Sequence, residues 1–560
     1  MNFLKKQKHT IIILFLVLLN FIIKGIYLSS NSLAGDEPFS VYHAQMSIAS
    51  IIQLLSLGNN PPLYEILLHF WIKIFGISEL SVRVPSLIFS CITVLFIYKI
   101  GIKYLNNRIA LYASLIFIFS NYHISLAHEA RAYALLGMLT AISMYYFMGI
   151  IYDYKTNAKS DSNNRFNYKG ISKYIILAVV NTLLIYTHYF GFFALIVQFL
   201  FSIFNLQFLR KNWKKMLLCM GIIVLLYVPN ISVFFKRFIE SSSGTWVPPV
   251  KNLGHLFEQI FFFSNENKFL FITIIAVLSA AIGKLFYHLQ LNKYIKGLFL
   301  FLLIPLFFIT AYSIFFQIPF IWKLTSNPFY FIPFTPLILC INLIWVLCKD
   351  KIKNYQWQTT FIVFWFVFIF SFMFIVSFRI PMFLDRYLMT AAIAFPLVIG
   401  ISVDYLIRKP KYELIIPIVV ILLFVLTVKP NITNKRDVKE TVAKIKELKT
   451  NTTIVYFCPE WFDLNFVYYY NRLYFMDYDD KNIKNKIYHH LHSENIFPIS
   501  NHNQIDINLI KHMDKIIYLD VAADFHYPKN NIKKELDVRY NLKNEYKFYE
   551  IFNVYEYELN

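Results

Sequence analysis

Charged residues are scarce in this 560-residue chain, and those that could do chemistry recur at the ends of long apolar runs. Asp36 and Glu37 stand in "AGDEPFSVYHAQ", Tyr64 in "PPLY" and Arg83 in "LSVRVPS". His128, Glu129, Arg131 and Tyr133 share "NYHISLAHEARAYALL", His188 lies in "YTHYF", and Asp385, Arg386 and Tyr387 lie in "FLDRYLM". A charge at membrane depth costs at least ~2.5–3.5 kcal/mol on insertion scales, so each such residue carries information. Carboxylates accept protons or hold cations, and arginines grip anions through paired hydrogen bonds. Taken singly, each also has a plainer role. Asp36 could cap a helix at a membrane boundary, the arginines could snorkel, and the tyrosines could belong to an interfacial belt. If that stretch is helical, Glu129 and Tyr133 are four apart and share a face.

The elements that must carry these residues are membrane spans, each needing about 20 predominantly apolar residues. Qualifying runs read near 10–27, 84–104, 109–127, 132–152, 172–189, 191–209, 216–235, 269–288, 297–317, 328–348, 358–378, 388–407 and 412–428. The first follows Lys5, Lys6 and Lys8 and lacks a small-residue cleavage site, so it reads as a retained span with its basic flank inside. Basic clusters such as Arg210, Lys211, Lys214 and Lys215, or Lys349, Lys351 and Lys353, then fall on the inner side. The expected fold is a polytopic α-helical membrane protein of about 13 spans, N-terminus inside and C-terminus outside. On that topology the six polar clusters share the outer face, which favours a site over a set of anchors. The long first outside loop, about 29–83, is too apolar to float in water and should fold onto the bundle as interfacial helices, keeping water from Asp36.

Composition supports the membrane reading and removes others. Hydrophobic residues make up 57% and charged residues 16%, against about 25% charge in ordinary globular chains. The net charge of +21 would suggest nucleic acid, but its location argues otherwise. Residues 429–560 carry 19 basic and 19 acidic side chains, so the whole excess lies in 1–428, mostly in short loops on one side of the bilayer. That is the positive-inside pattern, and no nucleic-acid partner is expected. Of five cysteines only Cys458 lies outside the apolar runs, which leaves no disulfide framework or paired-cysteine zinc site.

The chain therefore divides into a transmembrane part, 1–428, and an extracytoplasmic soluble part, 429–560. In the latter, "DVKETVAKIKELK", "WFDLNFVYYY" and a polar stretch near 480–492 read as helices. "TTIVYFCP", "RLYFMDY", "KIIYLDV" and "YEIFNVYEYEL" read as strands, together an α/β domain.

The order DE in the first outside loop, then PPLY, R-x-P-S, E-x-R-x-Y, THYF and later RYL resembles the GT-C glycosyltransferases. More narrowly it is similar to bacterial members related to protein O-mannosyltransferases and the aminoarabinose transferases of lipid A. Those members commonly have a histidine before the two prolines, where this chain has Asn60. The resemblance implies transfer of a sugar from a polyprenyl-phosphate donor to an envelope acceptor (protein, lipid or glycan) outside the cytoplasmic membrane. It makes Asp36 the general base, with Glu37 beside it in the catalytic loop. Arg131 or Arg386 would meet the departing phosphate, with Glu129, Tyr133, Arg83, Tyr64, His188 and Tyr387 completing the substrate site. Glu37, His128 and Glu129 are candidates for a divalent ion, although no spacing demands one.

The rival class is a polytopic lipid or solute transporter, or flippase. It should carry charged or broken helices near the midplane and an internal repeat. Here the charges cluster at one surface and the two halves show no clear repeat.

Overall fold

The computed structural model describes residues 2–58, 60–157, 168–242, 247–252, 254–288, 357–407, 414–477, 483–549 and 551–559. Each of the apolar runs that falls within them is helical. Among the described residues six helices are long and apolar enough to cross a bilayer, and up to nine spans result if each of three bent pairs counts as one. The six are α1 (Asn2–Gly25), α5 (Glu79–Tyr104), α8 (Tyr133–Asn157), α9 (Tyr168–Thr187), α11 (Leu206–Ser242) and α14 (Trp357–Val376). The bent pairs are α6 (Asn107–Ile118) with α7 (Asn121–Ala127), α12 (Gly254–Phe263) with α13 (Lys268–His288), and the segment from Asp385 that ends in α15 (Met389–Ala392) with α16 (Phe395–Leu406). Two shorter apolar helices, α10 (Phe192–Phe204) and α17 (Ile415–Thr427), are also described. The expected runs at 297–317 and 328–348 lie outside the described residues.

Local chemistry sets these boundaries. Ser78 and Asn106 cap α5 and α6 by accepting the backbone N–H of Ser81 and Ile109. Gly101 lets α5 and α6 close up, since a Cβ there would lie 2.4 Å from the Cα of Ala110. The break between α6 and α7 bends the chain by 59°. It is pinned by Asn121, whose N–H donates to Asn265 Oδ1 at 2.7 Å and whose side-chain oxygen accepts the Lys429 N–H at 2.7 Å. That bend carries α7 back across the end of the bundle where the polar clusters lie.

The first long loop folds as three helices, α2 (Glu37–His43), α3 (Ile48–Ser56) and α4 (Leu63–Phe75). α4 packs against α5 and α9 through Tyr64, Leu68 and Ile72, while Phe70, Ile74 and Phe75 stay more than half exposed. An apolar outer face at the end of a span bundle fits a helix lying at a bilayer surface.

The tail forms a five-stranded sheet in the order β2 (Ile496–Pro498), β1 (Thr453–Cys458), β3 (Lys515–Val521), β5 (Phe552–Glu558), β4 (Asn541–Phe548). The first three are parallel, and β5 and β4 join antiparallel. Helices α18 (Val438–Leu448), α19 (Asp463–Tyr470) and α21 (Ile483–Ser493) occupy the stretches read as helical. "RLYFMDY" is instead a short helix, α20 (Arg472–Met476). Asn471 caps it by accepting the Leu473 N–H, and Phe475 alone is buried, against Tyr42 and Tyr468. A strand would have needed alternate residues buried, and Leu473 is 73% exposed.

Candidate active site

The site is built on a buried brace. Arg83, 1% exposed in α5, meets Glu37 in a two-pronged ion pair, Nε to Oε1 and Nη2 to Oε2, both at 2.8 Å. Its remaining N–H groups donate to the carbonyls of Leu28, Asn31 and Ser32 at 3.1, 2.8 and 3.0 Å. Glu37 also accepts the N–H of Ala130 at 2.9 Å and of Ala34 at 3.3 Å. All five guanidinium donors and both carboxylate oxygens are thereby used inside the protein. Arg83 has no donor left for a phosphate and Glu37 no free oxygen for a proton or a metal, so both depart from their expected roles. They lock the end of α1, the first loop and the 128–132 turn together.

Glu37 is held inward, and its neighbour Asp36 faces outward. The Asp36 side chain is 59% exposed, which reverses the expectation that the loop helices would keep water from it. Two arginines flank it: Arg131 Nη2 lies 3.7 Å and Arg386 Nη1 3.8 Å from the same Oδ2. These are ion-pair contacts too long for short hydrogen bonds, so both guanidinium groups keep capacity for a second anion. Arg131 is buried and aimed by Ser40, whose hydroxyl accepts from Nη1 at 2.7 Å and donates to Glu65 Oε1 at 3.0 Å. Arg386 lies over the ring of Tyr133, 5.7 Å from its centroid. The backbone beneath Arg386 is tied by Tyr122, whose hydroxyl donates to the Asp385 carbonyl at 2.9 Å.

Glu129 lies in a turn, because α7 ends at Ala127 and α8 begins at Tyr133; the shared-face spacing of Glu129 and Tyr133 does not apply. Its carbonyl accepts the Ser86 hydroxyl at 2.6 Å. Burial pushes its carboxyl up to about 7, against the pull of Arg386 and with help from Glu37 and Asp385. His188 is buried and accepts the Phe190 N–H on Nδ1 at 3.2 Å, and its ring meets Tyr133 and Tyr387. His188, Tyr133 and Tyr387 thus form an aromatic wall behind Arg386. Tyr64 is completely buried in α4 and offers no exposed surface to a substrate.

A divalent ion does not fit the candidates. Both Glu37 oxygens are engaged, and His128 donates from Nε2 to the Lys24 carbonyl at 2.7 Å. Among the described residues no three His, Cys, Asp or Glu side chains converge as a ligand set.

Several residues of the site have no signal in the sequence. Ser40 and Glu65 are ordinary helix residues until α2 and α4 pack together. The tail also reaches the loop before Asp36: Tyr469 accepts the Leu33 N–H at 2.6 Å and Asn465 donates to the Gly35 carbonyl at 3.2 Å.

The family model described as dolichyl-phosphate-mannose-protein mannosyltransferase matches residues 59–232, the stretch that holds Arg83, Glu129, Arg131 and His188. The archaeal oligosaccharyltransferase AglB from Archaeoglobus fulgidus, solved with an inhibitory peptide and a dolichol-phosphate, is similar over 98% of this chain and 74% of its own. The TM-score is 0.50 at 10% identity, a likeness of fold. Residues 59–232 are therefore similar to that mannosyltransferase family, and the fold is similar to that of AglB. ArnT from Cupriavidus metallidurans bound to undecaprenyl phosphate is also similar, over 97% of both chains, at 10% identity and a TM-score of 0.47. Comparison with curated proteins by sequence finds no match. The segment matched by the family model supplies Arg131 and Glu129, whereas Asp36 and Arg386 come from outside it.

Proposed function

We propose that this protein is a glycosyltransferase of the cytoplasmic membrane that moves a sugar from a polyprenyl-phosphate-linked donor to an envelope acceptor on the outer side. Residues 1–428 form its transmembrane part, N-terminus inside, and 429–560 its outer domain. The observation that carries this reading is one exposed carboxylate, Asp36, held between two arginines at the end of a membrane bundle. The solved structure of AglB with a dolichol-phosphate supports a lipid phosphate as the anion.

The chemistry follows from the placement. An acceptor hydroxyl oxygen attacks the anomeric carbon while the bond from that carbon to the phosphate oxygen breaks. The hydroxyl proton passes to the Asp36 carboxylate, and the bonding pair leaves with the phosphate, giving polyprenyl phosphate. One such displacement inverts the anomeric centre. A positioned base contributes ~10²–10⁴-fold, and Arg131 and Arg386 counter the charge that grows on the leaving phosphate. Glu37 and Arg83 act through the backbone they hold.

The test is transfer by the purified full chain, in lipid nanodiscs, from synthetic polyprenyl-phosphate sugars to envelope extracts, read by mass spectrometry. A mass increment of one sugar, absent with Asp36→Asn, is expected. No transfer from any such donor, together with no binding of undecaprenyl phosphate, would sink the reading.

A further inference from the structure

The segment leading into Asp36 is clasped by the start of the tail. Asn434 donates its N–H to Asn31 Oδ1 at 3.2 Å and its amide to the Ser32 carbonyl at 3.0 Å, and the Lys439 N–H donates to Ser32 Oγ at 3.2 Å. Asn434 Oδ1 accepts the Arg436 N–H at 3.1 Å, fixing the next residues in turn. The Arg436 side chain then lies on Gly35. A Cβ at that position would be 2.0 Å from Arg436 Nη1, and Gly35 has φ +62°, so only glycine admits the contact without strain. The guanidinium therefore packs on the backbone one residue before Asp36.

Among the described residues no carboxylate pairs with the Arg436 side chain. Asp36, the exposed carboxylate nearby, is already shared by Arg131 and Arg386. Arg131 and Arg386 thus flank Asp36, and a third arginine packs on the residue before it with no carboxylate of its own. Guanidinium groups favour phosphate oxygens, which they meet in a two-pronged geometry.

We propose that Arg436 is a third cation of the active site, through which the outer domain binds the phosphate of the lipid-linked donor. This rests on the polyprenyl-phosphate reading above. The donor is a phosphodiester with one negative charge, whereas the released phosphate monoester carries about −1.5 to −2 at pH 7. An added cation therefore favours the leaving group over the bound donor, which is the direction that aids transfer. The tail then becomes a working part of the site as well as a cover for it.

The experiment titrates undecaprenyl phosphate onto the full chain in nanodiscs of a zwitterionic lipid, comparing wild type, Arg436→Lys and Arg436→Gln, with thermal unfolding of each. Loss of a charged hydrogen bond is worth about 1.5–3 kcal/mol, so Arg436→Gln should weaken binding about tenfold or more. Arg436→Lys should lose less, and both should unfold at the wild-type temperature. Wild-type affinity in Arg436→Gln overturns the assignment while leaving the donor reading intact. So does a change confined to the KM of the acceptor, which would put the anion there. Equal loss of binding by both variants with a lowered unfolding temperature makes Arg436 part of the clasp only and also overturns it. Failure of the wild type itself to bind undecaprenyl phosphate removes the donor reading, and this inference with it.

Discussion

Two adjacent acids, Asp36 and Glu37, have opposite fates, and the difference sets the predictions at the scale of single residues. Asp36→Asn keeps shape and removes the proton acceptor from an exposed carboxylate. Turnover should fall by ~10²-fold or more with undecaprenyl phosphate binding largely kept; near-normal single-turnover transfer would move the search for a base to Glu129. Glu37→Gln leaves the Arg83 guanidinium buried without its counter-charge, and breaking such a pair costs about 3–5 kcal/mol. That variant should unfold at a markedly lower temperature in calorimetry, an effect absent from Asp36→Asn. Glu129 adds a pH dependence. Its carboxyl, raised to about 7 by burial, is neutral below that pH and anionic above it. As an anion it competes for Arg386, while undecaprenyl phosphate itself gains charge in the same range. Relative to Glu129→Gln, which is fixed in the neutral form, the wild type should therefore lose affinity for undecaprenyl phosphate as pH rises through about 7; parallel profiles would count against the assignment. The same raised value means this group's stabilising contribution is full below about 4.5 and is lost as pH rises to about 7.

At the scale of elements, the site depends on breaks in helices. α7 ends at Ala127, so Glu129 and Arg131 project from a turn that Glu37 grips through the Ala130 N–H. The turn before Asp36 is set by Gly35 at φ +62°. Gly35→Ala would force an L side chain into a left-handed backbone at about 1–2 kcal/mol and drive its methyl into Arg436. We expect a lower unfolding temperature and a turnover loss larger than that of Gly76→Ala. Gly76 also has a positive φ, yet has no atom within 4 Å of its Cβ position. Equal effects of the two would show that the backbone strain alone matters and that the Arg436 contact does not.

For the whole molecule, the prediction concerns sidedness. Cysteines replacing Lys73 in α4 and Lys534 in the tail, both exposed, should react with an impermeant thiol reagent from outside, and one replacing Ser160 should not. Cys91, Cys219 and Cys458 are buried and should add little background. Labelling of Ser160→Cys alone would invert the topology and put the site on the cytoplasmic face. The tail's hydrogen bonds to residues 31–35 also predict that detaching it, by protease cleavage near Pro430, disturbs the catalytic loop as well as the tail.

Hydropathy and local motifs by themselves determined the helical runs, the tail's main strands and helices, and the set of polar clusters from which the site is drawn. Such signals are carried by neighbours within one or two turns, where period and composition decide the outcome. What only the tertiary structure decided are the pairings across long separations: Arg83 with Glu37, Arg131 and Arg386 with Asp36, and Arg436 with Gly35. In sequence an arginine that braces a loop and one that faces a ligand are the same letter. The difference is whether its donors are filled by carbonyls and a carboxylate brought from 46 to 55 residues away, as for Arg83, or left partly open at a surface, as for Arg386. That distinction arises when helices pack, because packing alone fixes which polar groups lose water and must find partners inside the protein.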